Sequence, residues 1–103
     1  MASKIYNINT DNSVADPVSL PSTGISFNGN ARTLAFQGTF NSTINIEASY
    51  DGGSNYIQLT DSDGSALNIT TETIINISVG VGVKLRFVRS AGSGVTDIDV
   101  YAA

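Results

Sequence analysis

The chain has 103 residues, enough for one domain that takes only about 65% of its unfolded surface out of water, so oligomerisation would add to a thin stability margin. It contains no cysteine and no histidine, which excludes disulfides and thiolate metal sites and removes the commonest general base. Nine acidic residues against five basic ones leave a net charge of −4, and Lys4, Arg32, Lys84, Arg86 and Arg89 form no long run, so the dense positive stripe that a nucleic-acid partner needs is missing.

The first twenty residues differ from the rest. They are rich in Asn, Ser and Asp, with Lys4, Ile5, Tyr6, Ile8, Val14 and Val18 scattered among them, and Pro17 and Pro21 set them apart. Residues 1–20 therefore read as an N-terminal arm or an edge strand, and residues 21–103 as a β-sandwich domain. Weak strands are expected near Ile5 to Ile8 and Ile25 to Phe27. From Thr33 onward period-two alternation dominates: Leu34, Phe36 and Phe40 share one face, and Ile44, Ile46, Ala48 and Tyr50 repeat the pattern. Gly38 reads as a bulge. Further strands are predicted at Tyr56 to Thr60, Leu67 to Thr70, Ile74 to Val79, Val83 to Ser90 and Thr96 to Tyr101, with Ile75, Ile77, Val79, Val83, Leu85, Phe87, Ile98 and Val100 as the core. Lys84 and Arg86 should share a solvated face.

Turn chemistry separates these strands at Asn28-Gly29-Asn30, Asp51-Gly52-Gly53, Asp61 to Gly64, Gly80 to Gly82 and Gly92 to Gly94. No window places apolar residues at helical spacing behind a cap. The expectation is an all-β, antiparallel β-sandwich of about eight or nine short strands, jelly-roll or immunoglobulin-like. The longest apolar-rich stretch, IINISVGVGVKLRFV, is too polar to span a bilayer, and MASKIYNINT lacks the apolar run of a secretion signal. A soluble protein made in a cytoplasm is expected, with no membrane partner.

Ser49-Tyr50-Asp51-Gly52-Gly53-Ser54-Asn55-Tyr56 resembles an Asp-box hairpin, in which a carboxylate accepts N–H bonds inside the turn, glycine takes positive φ and an aromatic packs beneath. Ser49, Asp51, Gly53 and Tyr56 are the structural positions, and one copy carries no glycosidase activity with it. Asp61, Asp63 and Gly64 fall short of a calcium loop, lacking the third ligand and the distal glutamate. Asn41, Asn68 and Asn76 fit the N-glycosylation pattern but, without a secretion signal, read as accidents of composition. Asp97 and Asp99 lie side by side on one strand face and do not flank a substrate as glycosidase carboxylates must. No serine has a base. The chain is thus expected not to be an enzyme and to need no metal or cofactor.

The run FQGTFNSTINIEASYDGGSNY, followed by VKLRF and GSGVTDIDVY, is similar to small β-sandwich virion proteins of tailed bacteriophages. Gly38 to Phe40, Ser49 to Gly53, Leu85 with Arg86, and Val95 to Tyr101 carry the resemblance. It implies a capsid decoration (cement) protein that binds the outer capsid surface of the virion as a homotrimer and stabilises the shell, with the major capsid protein of the same phage as partner. Lys4, Ile5, Tyr6, Ile8, Val14 and Val18 would then be the capsid-contact arm, adding a strand to the shell protein. Charged residues make up only 14% of the chain, and a hydroxyl-rich surface can be covered without stripping many charges of water. The alternative is a receptor- or carbohydrate-binding module of a phage tail fibre, with Tyr50, Tyr56 and Tyr101 stacking on sugar rings.

Overall fold

The alternating segments fold as strands. A computed structural model describes residues 3–10, 17–26, 33–61, 63–77, 82–90, 92 and 94–103. Among these it contains nine strands and no helix: β1 (Ser3–Thr10), β2 (Val18–Ser26), β3 (Thr33–Thr39), β4 (Thr43–Ser49), β5 (Ile57–Gln58), β6 (Asn68–Ile69), β7 (Thr73–Asn76), β8 (Lys84–Ser90) and β9 (Thr96–Ala102). The turn at Asn28 to Asn30, most of that at Gly80 to Gly82, the strand end Phe27 and the expected core position Val79 lie outside the described residues.

Two antiparallel sheets result. The first has the order β1-β9-β3-β7, and the second β2-β8-β4-β5, with β6 also pairing β4. The pairings nest: first strand with last, second with second-last, β3 with β7, and β4 with the short β5 and β6. This folded ribbon is then rolled, so that β9 also meets β3 and β8 also meets β4. Of the two sandwich types left open by the sequence, this is the strand order of a jelly roll.

The described residues among the first twenty, 3–10 and 17–20, are part of this body. β1 lies as an edge strand on β9, from Ser3 opposite Ala102 to Thr10 opposite Thr96, and β2 runs through the 20/21 boundary. The Leu20–Pro21 peptide bond is cis. Register shifts interrupt both strands, at Ile5 in β1 and between Leu20 and Ile25 in β2, which is why their alternation is faint in the sequence.

The core fills the space between the sheets. Ile8, Leu34, Phe36, Ile98 and Val100 come from the first sheet and Ile44, Ile46, Ile69, Leu85 and Phe87 from the second, joined by Ile77. Phe87 joins the layers: its ring is 5.9 Å from Phe36, edge to face, and 5.9 Å from Tyr6, stacked. Burial of this kind supplies most of the folding free energy, at about 25 cal/mol per Å² of apolar surface.

Two expectations are corrected, and one further residue turns inward. Gly38 forms no bulge, because β3 continues in register through Gly38 opposite Ile98 and Thr39 opposite Asp97; a side chain there would collide with the Asp97 carbonyl oxygen. Tyr50 leaves the core face as β4 ends and is 72% exposed. Arg89 does not join the outward face of Lys84 and Arg86. Its parity with Leu85 and Phe87 turns it inward, where it is 1% exposed, and Gly92 makes room for it, since a Cβ there would lie 2.9 Å from the guanidinium carbon.

Candidate functional site

The β4–β5 hairpin is closed by its own side chains. Ser49 Oγ donates to Asp51 Oδ1 (2.7 Å) and accepts the Gly53 N–H (2.9 Å). Asp51 Oδ1 in turn accepts the N–H groups of Ser54 and Asn55, and Oδ2 accepts the Asn55 side-chain amide at 2.7 Å. These bonds, Asn55's side chain foremost, hold the Asp51 carboxyl down at about 2 because they favour the charged form. Gly52 and Gly53 take positive φ, 78° and 99°.

Tyr56 ties the hairpin to the far edge of its sheet. Its hydroxyl donates to the Thr23 carbonyl in β2 (3.1 Å), in a space kept open by Gly24, where a Cβ would strike that hydroxyl. The Arg86 guanidinium lies 3.7 Å over the Tyr56 ring and pairs with Glu47 at 2.7 Å through both Nε and Nη2. Arg86 is therefore held in place on this face, and Tyr56 is a structural staple with its hydroxyl committed.

Beside the hairpin the surface turns apolar. Tyr50, 72% exposed, and Ile57, 60% exposed, stand with Ala48, Leu59 and Val83 around a shallow depression at the β5 edge. β5 is only two residues long and ends the sheet there.

The outer face of the first sheet carries a different pattern. Register places Lys4, Tyr101, Ala35 and Ile74 in one row across β1, β9, β3 and β7. The next row holds Asn7, Asp99 and Gln37, with Glu72 just before β7. Between the half-buried Tyr101 and Ile74, small Ala35 leaves an open trough of about 550 Å³, walled by Gln37, Glu72 and Thr73. Asn7 Nδ2 bridges Asp97 and Asp99 at 2.8 and 2.9 Å, Lys4 Nζ approaches Asp99 at 3.7 Å, and one oxygen of Glu72 accepts the Gly38 N–H at 3.2 Å.

The residues expected to form a capsid-contact arm lie in and around β1 and β2. Ile8 is fully buried, Ile5 and Tyr6 pack on the core, Val18 pairs with Arg89, and Lys4 faces Asp99. Val14 lies outside the described residues. Residues 3–10 pair with β9 along one edge, and β1 forms the margin of its sheet. Asp61 closes a turn by accepting the Asp63 and Ser65 N–H groups, and among the described residues no group of three or more potential metal ligands gathers. The trough was missed in the sequence because its members come from three strands; only the outward parity of Ile74, Gln37 and Tyr101 pointed to it.

Fold and surfaces together define an antiparallel β-sandwich of jelly-roll order that carries, among the described residues, an apolar patch and a trough. Set against known proteins, the chain matches no family model, no curated protein and no solved structure.

Proposed function

We propose that the protein is a structural component of a tailed-phage virion: a capsid decoration (cement) protein that docks on the outer shell as a homotrimer and stabilises it. Jelly rolls serve both capsids and lectins, so the surface decides between uses. The observation that carries the reading is the uncovered apolar patch of Tyr50, Ile57, Leu59 and Val83 on a chain with only 14% charged residues. Covering such a patch releases water from apolar area at little cost in stripped charge, and the gain repeats over every copy on a shell. On this reading the contact surface is the β5 edge.

The test is re-binding. Added to shells stripped of it, the protein binds and raises their melting temperature, and it sediments alone as a trimer. Tyr50→Asp with Ile57→Asp weakens shell binding by at least about tenfold while leaving the far-UV spectrum intact. No protection at saturating protein, or full protection by the double variant, rules the reading out.

A further inference from the structure

The trough on the first sheet is a second surface, on a different sheet from the β5 patch and not needed for shell docking. Its apolar row, Tyr101, Ala35 and Ile74, runs beside a row of hydrogen-bonding groups, Asp99, Gln37 and Glu72. Ile74 is 72% exposed although it is a large apolar residue in the middle of a strand. A ligand that fits must have an apolar face over the first row and donors along one side for the second.

Charge and area select the occupant. Asp97, Asp99 and Glu72 outnumber Lys4 on this face, so phosphate, nucleic acid and acidic sugars are repelled. The four-strand row spans roughly 14 Å at about 4.8 Å per strand and the two rows lie roughly 7 Å apart, so together they cover roughly 100 Å², far less than the roughly 800 Å² per partner that a stable protein interface buries. Two or three linked sugar rings match that length, and they offer C–H faces for an aromatic ring and edge hydroxyls for carboxylate and amide. The carboxylates are already oriented, Asp99 by Asn7 and Lys4 and Glu72 by the Gly38 N–H, so little ordering entropy is lost on binding.

We infer that the trough formed by Tyr101, Ala35, Ile74, Gln37, Glu72 and Asp99 binds a neutral oligosaccharide lying across the strands. The site would give a shell-bound protein a weak hold on glycans, multiplied by copy number.

The experiment is amide chemical-shift mapping of the ¹⁵N-labelled full chain with maltotriose, cellotriose, triacetylchitotriose, lactose and sialyllactose, each to about 10 mM. At least one neutral sugar shifts Ala35, Gln37, Ile74 and Tyr101, and sialyllactose binds more weakly than lactose. Tyr101→Ala lowers affinity for the bound sugar by at least about tenfold and Gln37→Ala, at an exposed position, by at least about threefold, through lost stacking and hydrogen bonding. Tyr50→Ala, on the other surface, leaves it unchanged. No shift in the trough with any neutral sugar overturns the inference, as does undiminished binding by folded Tyr101→Ala or Gln37→Ala, or a lysine-isoleucine peptide that shifts the trough where no sugar does. Shell re-binding by Gln37→Ala stays at the wild-type level, which separates this result from that of the docking test.

Discussion

Replacing Gly38 by alanine tests the first sheet where β3 runs close against the β9 backbone. In an ordinary strand interior glycine is worse than alanine by roughly 0.5–1 kcal/mol, so the exchange should stabilise. At Gly38 the sign inverts. Its φ is +147°, and a methyl group there would collide with the Asp97 carbonyl oxygen and sit 3.0 Å from Ile98 Cα. Restoring an ordinary C···O contact of about 3.3–3.6 Å means prising β3 from β9 locally. Two ladder hydrogen bonds at about 1 kcal/mol each, together with about 1–3 kcal/mol of backbone strain, give a loss of about 3–5 kcal/mol. That is a large share of the roughly 5–15 kcal/mol by which a domain of this size is stable. Gly52→Ala supplies the comparison: φ there is also positive, +78°, but nothing lies within 4 Å of the added carbon, so it should cost only about 1–2 kcal/mol. Urea unfolding read by far-UV circular dichroism and tyrosine fluorescence measures both, the chain having four tyrosines and no tryptophan. A Gly38→Ala protein as stable as wild type, or no less stable than Gly52→Ala, refutes the reasoning.

Phe87→Ala empties the junction between the layers, where Phe36 and Tyr6 both meet the ring; about 3–5 kcal/mol is lost, and a thermal melt lowered by less than about 5 °C would contradict that role. Asp51 sets an acid dependence. Because its folded pKa is depressed to about 2 from 3.8, the stability it contributes is complete above about pH 4 and vanishes as pH falls toward 2. Asp51→Asn therefore melts lower than wild type at pH 5, and the gap closes by about pH 2; a gap that stays constant over that range speaks against the hairpin's carboxylate as its cause.

Much of the fold was readable because it depends on local alternation. Leu34 with Phe36, Ile44 with Ile46, Leu85 with Phe87, and Ile98 with Val100 all point inward as period two requires. Where the chain breaks that period, the reading faltered: Ile5 sits at a register shift, Pro21 and Gly24 in another, and Tyr50 falls just past the end of β4. Strand order was closed to sequence reasoning for a different cause. Ser3 pairs with Ala102 and Val18 with Arg89, and no turn residue encodes a partner that far along the chain. The Asp51 turn could be read because its whole bonding pattern spans eight residues, whereas the trough needs Tyr101, Ala35 and Ile74 brought together from β9, β3 and β7.

The outermost strands have one more consequence. β5 has two residues and β7 four, while β1 and β2 are each broken by a register shift. None offers a long flat ribbon of unpaired amides on which a neighbouring molecule could grow a continuous sheet. A protein this poor in charge has little electrostatic repulsion to keep its copies apart, and interrupted margins let it be crowded at high density without knitting into fibrils.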